Sequence, residues 1–125
     1  MKPDGSRNGF AESFRHAVDG VAATARGRNF RVQLSAGICA VALGASLGIS
    51  AGEWIAVALS IGLVLGGECA NTAIEAAVDL ASPARRPLAK LAKDAAAGAV
   101  LLFSAASAIV GAVIFLPRVI ALFRQ

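Results

Sequence analysis

The chain has 125 residues, enough for one domain, and 57% of them are hydrophobic, with a mean hydropathy of +0.68. That balance excludes an ordinary water-soluble domain and fits a small membrane protein. The net charge is +4, but the basic residues flank apolar runs and form no exposed groove, so the excess reads as membrane topology and anionic-lipid contact, with no nucleic-acid partner.

Residues 1–9 are polar, carry Pro3, Gly5 and Gly9, and read as a flexible tail; the segment up to Arg31 is too charged for a signal peptide. The remainder, residues 10–125, reads as a single membrane-embedded domain. In residues 10–26, Phe10, Phe14, Ala17, Val18, Val21 and Ala25 recur at helical spacing, which predicts an amphipathic helix on the membrane surface. Gly20 in its middle costs roughly 1 kcal/mol against Ala, so close packing is expected there. His16, the only histidine, reads as an interface residue on that helix. After a basic break at residues 26–31, residues 32–52 carry no charge and are long enough to cross a bilayer. Glu53 and Trp54 mark the turn, with Trp54 as an interfacial anchor. A second membrane helix over residues 54–81 is ended or bent by Ser82-Pro83. Residues 84–94 form a basic connector with Arg85, Arg86, Lys90 and Lys93. Residues 95–116 make the third span, rich in small residues that suit helix packing in lipid, and Pro117 and Arg118 stop it. Cys39 and Cys69 fall inside spans at no metal-ligand spacing and read as packing residues.

Six Lys/Arg precede residue 32, none lies between the first two spans, and four lie in the connector. The positive-inside rule then places the N-terminus and the connector in the cytoplasm and the C-terminus outside.

The chemistry gathers in the second span. Glu68, Asn71, Glu75 and Asp79 lie within an arc of roughly 80° on one helix face, opposite Ala70, Ala73 and Ala77. Ionisable groups in a membrane helix are expensive, so such a stripe is functional by default. The competing reading is a helix that simply leaves the membrane near Glu68, with wet carboxylates. Glu68 and Glu75 stand about 10 Å apart along the axis, too far to share one proton, and suit two separate tasks. Asn71 and Glu75, one turn apart, suit one hard cation; Glu68 and Thr72 are likewise one turn apart. Lys93-Asp94, at the expected start of the third span, suits phosphate, or equally a boundary anchor with an N-cap. Soluble-kinase patterns are absent: the chain has no Walker loop and no kinase catalytic loop.

The run Glu68-x-x-Asn71-Thr72-Ala73-Ile74-Glu75-x-x-Val78-Asp79, followed by Lys90-x-x-Lys93-Asp94-x-Ala96-Ala97-Gly98-Ala99-Val100-Leu101, resembles the prokaryotic diacylglycerol kinase family. The likeness extends over about residues 10–117. Ser82-Pro83, residues 96–101 and Ile114-Phe115-Leu116-Pro117 resemble its undecaprenol kinase branch. The resemblance implies an all-α integral membrane protein: three transmembrane helices plus an amphipathic surface helix, assembled as a homotrimer with intersubunit sites. It implies Mg2+- and ATP-dependent phosphorylation of a membrane lipid alcohol, undecaprenol or diacylglycerol, on the cytoplasmic side of the bacterial inner membrane. Carried over by motif, Glu68 is the general base at the lipid hydroxyl, Glu75 holds magnesium and Asn71 supports the reacting groups. Asp79 lies near the nucleotide, and Lys93 and Asp94 contact ATP. Two positions depart from the pattern. Gly27 stands where the family has a metal-binding glutamate, in a segment one residue short, and Gln33 stands where a histidine or glutamate is common. Two other readings remain in view: a small proton-coupled transporter using Glu68, and a catalytically impaired structural relative.

Overall fold

The computed structural model describes residues 9–84 and 86–124. Apart from Gly9, the expected flexible tail lies outside the described residues, as does Arg85 of the connector. Four helices follow one another: α1 (Phe10–Thr24), α2 (Arg28–Leu47), α3 (Ala51–Ala81) and α4 (Pro87–Leu122). The last three are each long and apolar enough to cross a membrane.

The helix ends differ from the sequence expectation for identifiable reasons. Helix α1 stops at Thr24, two residues short of the expected 26, where the Gly27 N–H bonds the Thr24 carbonyl at 2.9 Å and begins the turn into α2. Gly20 is not closely packed. The space beside it is open, and the Thr24 hydroxyl instead donates to the Gly20 carbonyl at 3.0 Å. Helix α2 ends at Leu47 and not at residue 52, because Gly48 takes a left-handed conformation (φ 62°, ψ 49°) and its N–H closes on the Gly44 carbonyl. That conformation is nearly free for glycine and costly for other residues.

Ser50 then caps α3. Its hydroxyl accepts from the Glu53 N–H at 3.4 Å while Glu53 Oε2 accepts from the Ser50 N–H at 2.7 Å, so the helix begins at Ala51 and not at residue 54.

Most of the expected connector is helical. Pro87 occupies the first position of α4, where its fixed φ favours helix and its missing N–H costs nothing, and the Lys90–Asp94 ion pair follows at i,i+4 spacing. Nor does Pro117 end the helix, which continues to Leu122. The proline removes one backbone hydrogen bond. One residue on, Arg118 Nη1 donates to the Ile114 carbonyl at 2.7 Å, adding a side-chain bond to the disturbed turn.

Helices α3 and α4 form an antiparallel pair whose register can be read from four contacts. Glu53 meets Arg118, the Ser60 carbonyl accepts from the Ser107 hydroxyl at 3.3 Å, Gly67 faces Phe103, and Asp79 meets Lys93. Each advance along α3 is matched by a retreat along α4. At Gly67 the approach is so close that a Cβ would lie 2.7 Å from the Phe103 ring. Helix α2 leans on α3 through Gly37 against Ile61 and Gly44 against Trp54. The buried core is small, and Ile49, Val57 and Ile114 cluster near the Glu53–Arg118 end. Large apolar side chains on all three long helices are exposed, among them Ile38, Leu59 and Leu102. Cys39 is exposed too, so it is not the intrachain packing residue expected; Cys69 is half-buried.

Candidate active site

Helix α3 has 31 residues and is therefore about 46 Å long, against a hydrocarbon core of about 30 Å. From Ala51 to Glu68 is about 26 Å. Glu68 thus falls near the far edge of a bilayer entered at Ala51, and Glu75 and Asp79 project beyond it. A span entered at Ala51 thus brings the start of the polar stripe to the far boundary of the bilayer.

Burial grades along the stripe in the same direction. Glu68 is 7% exposed, Asn71 and Glu75 are half-buried, and Asp79 is exposed. Glu68 is held beside the tight Gly67–Phe103 contact and receives a long hydrogen bond, 3.5 Å, from Gln33 Nε2 on α2. One turn on, Asn71 Nδ2 donates to Glu75 Oε1 at 3.2 Å. Among the described residues two buried acceptors have no partner, Gln33 Oε1 and Asn71 Oδ1. Further along, Lys93 Nζ bridges to Asp79 Oδ1 at 2.6 Å, and Lys90 pairs with Asp94. Thr72 is exposed.

Of the six predicted site residues, Glu68, Asn71, Glu75 and Asp79 follow one another along α3, and Asp79, Lys93 and Asp94 line one cavity between α3 and α4. The structure directly joins Asn71 to Glu75 and Asp79 to Lys93; Glu68 bonds neither Asn71 nor Glu75 and reaches across to α2 instead. The expectation for Lys93-Asp94 is corrected in one respect. Because α4 begins at Pro87, these residues lie about two turns into it and not at its N-terminus, so their backbone N–H groups are already inside the helix. Phosphate affinity there would have to come from the ammonium group.

Two cavities flank the stripe. On the membrane side a cavity of about 250 Å³ lies between α2, α3 and α4, walled by Gly37, Ile61, Val64 and Gly111 and reaching Gln33. On the other side a cavity of about 620 Å³ is walled by Asp79, Ser82, Arg86, Lys90, Lys93 and Asp94.

The donor chemistry around Glu75 fits a hard divalent cation. Glu75 and the partnerless Asn71 carbonyl offer oxygens one turn apart, and magnesium is commonly held by one or two carboxylates with waters and substrate phosphates completing its shell. Among the described residues no group of three or more His, Cys, Asp or Glu side chains could hold a metal by itself. The donors therefore suit a cation that arrives with phosphates, not one caged by protein.

Sequence reasoning missed two features. The sequence singles out Gln33 as a departure from the family pattern, but not as the neighbour of Glu68. The Glu53–Arg118 fork, with both N···O distances 2.8 Å, joins two charges that the sequence shows as isolated boundary markers.

Residues 15–115 match the family described as prokaryotic diacylglycerol kinase. The undecaprenol kinase of Bacillus subtilis (strain 168) is 46% identical over 112 residues, covering 89% of this chain and 91% of that protein. The diacylglycerol kinase of Synechocystis sp. (strain ATCC 27184 / PCC 6803 / Kazusa) is 42% identical over 112 residues, covering 88% of this chain and 64% of that protein. No solved structure matches significantly. A transporter reading of Glu68 is thereby set aside: the chain belongs to the prokaryotic diacylglycerol kinase family and is a lipid kinase of that type.

Proposed function

We propose that the protein transfers the γ-phosphoryl group of ATP, with magnesium, to the hydroxyl of a membrane lipid alcohol, undecaprenol or diacylglycerol, at the cytoplasmic face of the bacterial inner membrane. The observation that carries this is the order of features along α3: an apolar cavity, a buried carboxylate, an amide–carboxylate pair, then a basic cavity. A lipid alcohol needs a dry channel for its body and a base at its hydroxyl. A nucleotide needs cations for its phosphates. The seam supplies these in sequence, with the reacting groups meeting between Glu68 and Glu75.

In this reading the Glu68 carboxylate accepts the hydroxyl proton as the lipid oxygen forms its bond to the γ-phosphorus. The bond from that phosphorus to the β–γ bridging oxygen breaks, and ADP leaves with the electron pair. Gln33 fixes the carboxylate by its amide contact. Glu75 and the Asn71 carbonyl would hold magnesium, whose chemistry is neutralisation of phosphate charge. Lys93 offers its ammonium to phosphate when it exchanges partners with Asp79, and Asp94, through Lys90, helps shape the cavity wall. Helix α1, with Phe10, Phe14, Val18 and Val21 exposed, lies on the cytoplasmic membrane surface. The exposed apolar faces of the long helices are covered by lipid and by two further copies in a homotrimer with sites between subunits.

The 46% identity to an undecaprenol kinase and the branch-like motifs favour undecaprenol as the acceptor. Presenting both lipids in mixed micelles with radiolabelled ATP tests this: label is expected mainly in undecaprenyl phosphate. Label found mainly in phosphatidic acid would reverse the acceptor assignment, and label in neither lipid would end the proposal.

A further inference from the structure

Of the two buried acceptors without a partner among the described residues, the Asn71 carbonyl has a task in the reading above and the Gln33 carbonyl has none. Gln33 stands on α2 where the apolar cavity reaches the stripe, so one side chain borders both that space and Glu68. Its amide has a donor end and an acceptor end. A carboxylate only accepts, so Gln33 turns Nε2 to Glu68 Oε2, at 3.5 Å, and Oε1 is left without a donor. The hydroxyls on the cavity wall do not supply one. Ser107 donates to the Ser60 carbonyl at 3.3 Å, and among the described residues neither Ser60 nor Ser104 bonds Oε1. A carbonyl buried without a donor is costly, and it is matched by a ligand that brings one. The remaining wall is apolar or small, with Gly37, Ile61, Val64 and Gly111, so that ligand has an apolar body. The cavity holds about 250 Å³, against the roughly 150 Å³ that suffices for benzene, and so takes about ten carbons. Undecaprenol meets both demands: its hydroxyl has one hydrogen to donate, and its chain carries no other polar group.

Resting on the lipid-alcohol reading above, we propose that the Gln33 carbonyl is the docking acceptor for the lipid hydroxyl and selects lipids in which that hydroxyl is free. Oε1 belongs to the same amide as the nitrogen that touches Glu68, so a hydroxyl bonded to Oε1 stands beside the base that takes its proton. The terminal torsion of the side chain is soft, and the amide turns with little strain as the lipid enters. The single hydroxyl hydrogen leaves Oε1 for Glu68 as transfer begins. The Oε1 contact therefore belongs to the ground state and acts on binding and selection.

The test is lipid binding without nucleotide. Radiolabelled undecaprenol is bound to the full chain in neutral-detergent micelles, and unlabelled undecaprenol or its methyl ether competes for it. The ether keeps the chain and the oxygen but lacks the hydrogen. The parent is expected to prefer the alcohol about tenfold, because the ether leaves the buried carbonyl unpaired. Gln33→Met keeps an unbranched side chain of similar length without the amide. It is expected to cut the preference to about twofold or less and to bind the ether at least as tightly as the parent does. A side chain that only propped Glu68 or the helices would weaken both lipids on removal. Gln33→Leu is measured in parallel, with assembly of both variants checked by size exclusion.

An undiminished preference in the variants assigns the hydroxyl to another group and overturns the inference while leaving the lipid-alcohol reading intact. No preference in the parent, as for a carbonyl satisfied by water, overturns it too, as does a loss of affinity for both lipids alike. Because no ATP is present, a preference that disappears with Gln33 supports the inference even if the protein transfers no phosphate to undecaprenol.

Discussion

At the scale of single residues, the proposed magnesium role rests on Glu75 and the Asn71 oxygen one turn before it. Glu75→Ala removes a hard anionic ligand that alanine cannot replace. The variant is expected to need much more magnesium for half-maximal turnover, by tenfold or so, as one lost charged ligand is worth roughly 1.4 kcal/mol or more. An unchanged magnesium titration, with an unchanged maximum, would remove Glu75 from the metal site. Gly27 is the complementary case. It precedes α2 in extended backbone (φ −69°, ψ 142°) that any residue can adopt, and a Cβ there would meet the Thr24 carbonyl oxygen at 3.1 Å. A side chain fits if the turn gives by a few tenths of an ångström. We expect the parent to be active with a raised magnesium requirement, and Gly27→Glu to lower that requirement several-fold; a parallel insertion of Glu after Gly27 covers the shortened segment. If neither variant moves a titration already saturated at low magnesium, another residue fills that ligand position. The order Glu68, Asn71, Glu75, Asp79 was legible because one helix repeats every 3.6 residues. The Gln33–Glu68 and Asp79–Lys93 contacts were not, since the register between helices is set by packing that no single helix encodes.

At the scale of helices, two adjacent glycines offer a matched comparison. A Cβ at Gly67 would lie 2.7 Å from the Phe103 ring, whereas the space beside Gly66 in the chain is open. Gly67→Ala is expected to destabilise the α3–α4 pair by about 1–3 kcal/mol through overpacking. It should also lower turnover, because Glu68 is the next residue. Gly66→Ala should be neutral or slightly stabilising, since alanine favours helix by up to about 1 kcal/mol over glycine. Thermal unfolding in detergent and initial rates for the two variants check this, and equal melting temperatures would show that the Gly67–Phe103 contact is not tight.

The opposite end of the seam is closed by the Glu53–Arg118 fork, with Glu53 shared by the α3 capping box. Arg118→Met should lower the melting temperature in detergent only slightly, as for a well-aligned but partly exposed pair, and leave the KM for ATP unchanged. The first and third spans were legible as uncharged runs and the second as one that stops at Gly67, while their ends were not. The Ser50-x-x-Glu53 pattern and Pro87 are recognisable helix-start signals that lie under the apolar run and the basic connector respectively. Pro117 looked like a stop because the bonds that carry a helix past it come from its surroundings.

At the scale of the whole molecule, the charge distribution puts the N-terminus and the α3–α4 turn on the same side. A cysteine added after Arg124, in a variant with Cys39 and Cys69 replaced by serine, is expected to react with an impermeant maleimide in intact cells. Reaction only after the membrane is broken would invert the topology and separate the stripe from cytoplasmic ATP. In the proposed reading a lipid hydroxyl and a nucleotide meet at Glu68, where α3 passes from an apolar cavity to a basic one. Phosphate transfer from labelled ATP to undecaprenol by purified parent and Glu68→Gln protein, compared at equal assembly state by size exclusion, tests this most directly. The amide keeps the shape of the side chain but cannot take the proton, so transfer is expected to fall by about 10²–10⁴ with the assembly intact. Transfer at the parent rate by an intact Glu68→Gln protein would contradict the assignment of Glu68 as the base.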